Sequence, residues 1–235
     1  MLAKKLPDTD EERLIILQAI LEQEEIIEDS DRILSIIEFH DLRMFSTTFE
    51  STDSVYNQAV IDTEKAKALY EDLFKNAQLY ISHFIQVLFL TVIRNEIRAE
   101  HLTFYGFKED NPVLPDLSTE ENVLKWGENL MRGESERTYR GGIPLYNPAI
   151  AKVKVHYELF KETIYSLSIY DKNLQRLQKK MEDLREKADE LIWDIWTKAE
   201  EKYSEYSLEA QTLKFKAYKI QLLYRKGDQL NVFDI

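Results

Sequence analysis

Residues 167–195 read LSIYDKNLQRLQKKMEDLREKADELIWDI. Leu167, Tyr170, Leu174, Leu177, Met181, Leu184, Ala188 and Leu191 recur at steps of three and four, and Ile195 comes four further on. That spacing lays an apolar seam along a helix and holds it for about four heptads. Lys172, Arg176, Lys179, Lys180, Glu182, Asp183, Glu186 and Lys187 mix both signs of charge on the remaining faces, which reads as a solvated helix surface with i,i+4 pairs. Neither Gly nor Pro occurs in 149–226, so a helix can run from Asn147-Pro148 to about 203. At 1.5 Å per residue that is a rod of roughly 80 Å.

Working outward, residues 8–105 also lack both breakers. Five of the six Gly (106, 127, 133, 141, 142) and four of the five Pro (112, 115, 144, 148) are gathered between 106 and 148. Two uninterrupted arms therefore flank one irregular insert at 102–147. The expected architecture is all-α: one domain over 1–235, an elongated antiparallel four-helix bundle with coiled-coil-like long helices, and the insert packed on the second helix.

In the first arm, Thr9-x-x-Glu12 is a capping box. Leu14, Leu17, Ile20, Leu21 and Ile27 come next at helical spacing. Asp29-Ser30-Asp31 predicts a kink or restart, because short polar side chains compete for backbone bonds. The pattern resumes at Ile33, Ile36, Ile37 and Met44, and the Ser/Thr-rich run Ser46–Ser54 reads as a turn. A second helix is expected at about 54–101, with a stripe of Tyr56, Ala59, Val60, Thr63, Leu69, Leu73, Ala77, Ile81, Phe84, Leu88 and Ile97. Around 84–93 it is apolar on nearly every side and must be covered on every side. The insert offers the lid: Phe104, Tyr105, Phe107, Leu114, Leu117, Trp126, Tyr139 and Tyr146.

Within the insert, Ser118-x-x-Glu121 predicts a second capping box and a helix of about 119–132 that stops near Gly133. Asn147-Pro148 reads as an N-cap followed by Pro at the first helical position. Tyr203–Ser207 is the expected last turn, before a helix of about 207–226 that ends at Gly227. Residues 8–31 hold ten acids against Arg13 alone, and residues 210–226 hold five bases (Lys214, Lys216, Lys219, Arg225, Lys226) and no acid. That contrast predicts that the first and last helices lie side by side.

Of 235 residues, 44% are hydrophobic and 31% charged, enough for a sizeable core under solvated faces. The net charge of −12 argues against nucleic acid and against an anionic membrane surface as partners. There is no Cys, which removes disulfides, thiolate metal sites and Cys nucleophiles and is compatible with the reducing cytoplasm, the expected compartment. The N-terminus turns acidic after Lys4-Lys5-Leu6-Pro7, so no secretory leader is expected. The most apolar run, Phe84–Ile93, is ten residues long and too short to span a bilayer, so no membrane insertion is expected.

Catalytic constellations are scarce. A di-iron bundle needs Glu-x-x-His, but Ile37, Tyr80, Arg98 and Val153 stand three residues before His40, His83, His101 and His156. No metal and no cofactor are expected. His83, beside the most apolar stretch, reads as a ligand or base, or as a plain buried or surface histidine. His101 lies near a helix C-terminus, where its charge suits the dipole. There is no Gly-x-Ser-x-Gly, no His-Glu-x-x-His and no phosphate loop around Gly141-Gly142. The three Trp and the insert's aromatics line a pocket or fill the core. The candidate ligand site is the end of the insert: Arg137, Arg140, Gly141 and Gly142, ahead of a helix opening at Asn147. Two guanidiniums and free helix amides suit an anion or carboxylate. The competing reading pairs the arginines with Glu134 and Glu136 and leaves the glycines as turns.

Ile81–Val87, Phe104-Tyr105-Gly106, Leu114–Glu121, Gly142-Ile143-Pro144 and Asn147-Pro148 together resemble a group of uncharacterised bacterial helical proteins. The resemblance covers about 80–160, together with the Leu6–Thr9 start. It implies a helical bundle and carries no activity, cofactor or site residue. The leading functional expectation is a non-enzymatic helical interaction or scaffold protein that meets a protein partner, itself or another, through a helix face. The alternative is a small-anion or carboxylate-binding protein or enzyme working at Arg137, Arg140 and Asn147.

Overall fold

The computed structural model describes residues 3–110 and 113–223. The fold is all-α. In chain order it comprises a two-residue strand β1 (Ala3–Lys4), α1 (Asp10–Ile26), α2 (Ile36–Ile93), a 3-10 helix (Ala99–Tyr105), α3 (Glu120–Tyr139), α4 (Ile150–Lys202), α5 (Leu208–Ala217) and β2 (Leu222–Leu223), which pairs antiparallel with β1. The expected single domain divides into two compact units, Met1–Gln58 with Leu174–Ile235 and Ala59–Asn173.

In the first unit, α1 opens as the sequence predicts. The Thr9 hydroxyl accepts from Glu12 N at 3.1 Å, and the Glu12 carboxylate accepts from Thr9 N at 3.3 Å. After Ile26 the chain leaves the helix, and Glu24 organises the loop at 27–35. Its buried carboxylate accepts from Ile33 N (3.2 Å), Leu34 N (3.1 Å) and the Tyr218 hydroxyl (2.5 Å). Ser35 and Glu38 then cap α2 reciprocally: Ser35 N donates to Glu38 at 2.8 Å, and Glu38 N to the Ser35 hydroxyl at 3.3 Å.

This pinned loop resets the helical phase. Leu34, Leu42, Phe45 and Phe49 join Ile16, Leu17 and Ile20 in the core. The expected Ile36, Ile37 and Met44 face solvent instead. The turn expected at 46–54 is helix throughout. Thr47 donates to Arg43 O at 3.0 Å and Thr48 to Met44 O at 2.8 Å, so these hydroxyls bond back onto their own helix rather than breaking it.

Most of the seam read from 167–195 is consumed here. Met181, Ala188, Ile195 and Trp196 of α4 pack with α1 and α2, and the Trp196 indole donates to Tyr218 O at 3.0 Å. α5 starts at the Ser207 cap and lies against α1, with Phe215 in the shared core. The adjacency agrees with the sequence expectation, but the acids of α1 reach mainly elsewhere. Asp10 pairs with Arg185 at 2.7 Å, and Arg13 pairs with Asp189 at 2.8 Å. Lys214 meets Asp31 at 3.4 Å. The last helix ends at Ala217, short of the expectation, and Arg225, Lys226 and Gly227 lie outside the described residues.

In the second unit, Ala77, Ile81, Phe84, Ile85 and Leu88 of α2 are sealed by Leu102, Tyr105, Phe107, Leu117, Val123, Leu130 and Leu145 of the insert and by Val153 and Phe160 of α4. The insert is the lid that the apolar stretch requires. By length and composition α2 could cross a membrane, with a mean hydropathy of 1.3 over its most apolar window. A third of that window is buried within the protein, and a globular core helix passes the same test. The stripe differs from expectation near 69–74. Leu69 is exposed, while Tyr70 and Phe74 turn inward onto Phe160, with ring centroids at 5.7 and 5.2 Å.

α3 is longer than expected at its C-terminal end, running past Gly133 to Tyr139. Thr119, not Ser118, caps it, accepting from Asn122 N at 3.2 Å, because Ser118 is already bonded to Asp116. Gly127 and Gly133 are interior. A Cβ at Gly127 would meet the Tyr157 ring at 2.3 Å, and one at Gly133 would meet the Tyr105 ring at 2.5 Å. The glycines let two aromatic rings lie close on the helix rather than ending it.

Candidate functional site

The site is built on a buried ion pair in α3. Glu134 and Arg137 stand three apart, so both project to the same side of the helix. Both are almost fully buried. Arg137 Nη2 donates to both Glu134 oxygens at 2.8 and 2.9 Å, and its Nε donates to the Tyr105 hydroxyl at 2.8 Å. Tyr105 in turn donates a short bond to Glu134. Burial raises the Tyr105 pKa, and the Glu134 bond raises it further, so the phenol remains a donor. At Arg137 burial opposes the charge, but the bonds it donates to Tyr105 and Glu134 outweigh that and raise the pKa.

The pair then fixes the chain beyond α3. Arg137 Nη2 donates to Ile143 O at 2.9 Å, and Leu145 N donates to Glu134 at 2.8 Å. Gly141 turns the chain with φ of +89°, a conformation that favours glycine. Gly142 sits so close beneath that a Cβ there would meet Arg137 O and Nη1 at 2.8 Å.

On the opposite wall, α2 ends at Ile93 and Asn95 takes up φ of +59°. Glu96 N donates back to Thr91 O at 2.9 Å, closing the helix end. The chain turns there, so Arg94, Arg98 and His101 lie beyond α2 instead of on its flank. His101 stacks on Phe104 with centroids 5.2 Å apart.

Between these walls lies a cleft of about 690 Å³. Its lining includes Thr91, Arg94, Glu96, Arg98 and His101 on one side and Arg137, Gly142, Ile143, Tyr146 and Asn147 on the other. Arg94 makes no ion pair among the described residues, and Arg98 reaches Glu100 only at 3.4 Å from an exposed position. Arg94, Arg98 and His101 thus line an open cleft together with Glu96, and the Glu100 carboxylate lies 3.4 Å from Arg98 and 4.0 Å from His101.

The structure brings Arg137, Gly142 and Asn147 to this cleft and leaves Arg140 and Gly141 off its lining. Arg140 is paired with Glu136 at 2.6 Å and lies over the Phe104 ring at 4.8 Å. Arg137 serves mainly as an internal strut. Asn147 is not a helix cap: it sits with Pro148, across a cis peptide bond, in a turn closed by the Tyr146–Ala149 bridge, and α4 begins at Ile150. The free amides of α4 are therefore displaced from Asn147. Sequence reasoning does not find Arg94, Arg98 and His101 as a group. Their spacing of four and three is visible, but on an uninterrupted helix it reads only as a polar face.

His83 is exposed on α2. Trp126 stacks on Phe107 at 4.6 Å, and Trp196 is core. Among the described residues no group of three or more His, Asp or Glu is placed to hold a metal ion. No family model matches the chain, and neither the curated proteins nor the solved structures hold a significant match.

Proposed function

We propose that this chain is a binding protein for a small anion or a carboxylate, held in the cleft of its second unit. The observation that carries the reading is a preformed cleft lined by Arg98, His101 and Arg94, the last without an ion pair among the described residues. Preformed concavity with a few convergent polar groups is the usual shape of a ligand site. The Glu134–Arg137 strut supports the reading by fixing the far wall in advance, which lowers the ordering cost of binding. A thermal-shift titration with inorganic phosphate and with acetate tests it. Either anion should raise the melting temperature, and Arg94→Ala/Arg98→Ala should remove the rise. An unchanged rise in that double variant would place the anion elsewhere.

A second reading keeps the helical interaction protein, and one observation favours it. α4 exposes Val155, Leu159, Tyr165 and Ile169 along the second unit. Large apolar side chains left exposed along one helix are what an association surface is built from. The seam at 181–195 no longer supports the reading, because the chain's own core occupies it. Self-association through α4 predicts a dimer in native mass spectrometry that Leu159→Glu abolishes. A monomer at all concentrations would contradict it.

A further inference from the structure

We infer that the anion received by the cleft is a carboxylate carried on an apolar body, such as an aliphatic chain or an aromatic ring. This inference rests on the anion-binding reading above and adds the body to the head group. The cleft lining holds two kinds of surface: Arg94, Arg98 and His101 bring cationic and imidazole groups, and Leu90, Ile143, Leu145 and Tyr146 bring apolar surface from both sides of the same space. Ile143 is 84% exposed and Tyr146 is 86% exposed.

Large apolar side chains usually escape water when the backbone is free to turn them in. Here the backbone is not free. Ile143 O is held by Arg137 and Leu145 N by Glu134, both from the buried pair. Gly142 allows this close seating, since any side chain there would collide with Arg137. The fold therefore displays Ile143 and Tyr146 in the same cleft as Arg94, Arg98 and His101. Water wets both in the free protein, and an apolar body lying across them would release that water.

The charge balance favours a singly charged head. Glu96 lines the cleft, Glu100 lies 3.4 Å from Arg98 and 4.0 Å from His101, and the carbonyl end of α2 contributes partial negative charge beside Arg94. All three oppose a dianion more than a monoanion.

Calorimetric titration of the full chain with octanoate, acetate and 1-octanol tests the inference. Octanoate should bind at least about tenfold more tightly than acetate, the effect of roughly two buried methylene groups. Ile143→Ser/Tyr146→Ser should bring octanoate down to the affinity that acetate shows for the same variant. Both side chains project into solvent, so these serines spare the core, and an unchanged circular dichroism spectrum and melting temperature would confirm that. Arg94→Ala/Arg98→Ala should weaken both acids. Equal binding of octanoate and acetate would overturn the apolar wall while sparing the anion reading. Octanol binding as tightly as octanoate would overturn both, as would no binding by any of the three.

Discussion

Each unit buries a glutamate that holds a loop by its backbone, and the two differ in what accompanies the carboxylate. Glu24 accepts from two backbone amides of the 27–35 loop and from Tyr218, without a cation on its oxygens among the described residues. Glu134 accepts from Leu145 N and Tyr105 and is also paired with buried Arg137. In both units a tyrosine held protonated by burial donates to the acid. The first arrangement builds a helix entry: it ends α1 and sets the phase of α2. The second builds a wall, because Arg137 has a donor left over for Ile143 O and so carries the loop past the helix end to the cleft. An added cation turns the same device from a cap into a strut for the cleft wall.

The same substitution in the two places should separate them. Glu134→Gln leaves Arg137 buried without a countercharge, a loss of about 3–5 kcal/mol by comparison with other broken buried pairs. Glu24→Gln keeps an acceptor and strands no charge, so about 1–2 kcal/mol is expected from weakened hydrogen bonds. Urea denaturation measures both, and equal losses would erase the distinction. Glu134→Gln/Arg137→Met should recover much of the larger loss, since the stranded cation is gone, yet it should still abolish anion binding through the loosened 142–145 wall. Full binding in that double variant would show that the strut does not shape the cleft.

Gly133→Ala comes next, because its methyl would press on the Tyr105 ring at 2.5 Å. Forced repacking there should cost about 1–3 kcal/mol, against the gain of up to about 1 kcal/mol that Gly→Ala gives at an open helix site. A stabilised Gly133→Ala protein would mean that the ring has room to move.

The smallest effect belongs to Glu38. Hydrogen bonds from Lys198 and Ser35 hold its pKa down at about 2. A depressed carboxylate contributes stability above its ordinary range near 4.5, and that contribution fades as the pH falls toward about 2. Glu38→Ala should therefore be slightly less stable than the parent at neutral pH, and the gap should close over that acidic window. The side chain is 45% exposed, so salt should shrink the gap too. A gap that persists at pH 2 would mean the side chain acts by packing rather than charge.

Much of the fold can be read from residue types whose effects are local. The gathered Gly and Pro mark the insert, Thr9 and Glu12 mark the start of α1, and the all-round apolar stretch at 84–93 calls for its lid. What the sequence hides depends on contacts distant in the chain. Gly127 and Gly133 look like breakers until Tyr157 and Tyr105 lie on them. Ile36, Ile37 and Met44 look like core until Glu24 reaches the 27–35 loop and resets the phase. The site is half legible for the same reason. Arg137 and Gly142 are visible as a motif, but Arg94, Arg98 and His101 join them only because the chain turns at Asn95 and the Glu134 strut brings the loop back.

Amide chemical shifts of the labelled full chain, followed during an acetate titration, test the central claim most directly. The account predicts saturable shifts confined to 91–101 and 142–147, lost in Arg94→Ala/Arg98→Ala. Shifts centred on the first unit, or none on 91–101 and 142–147, would contradict it.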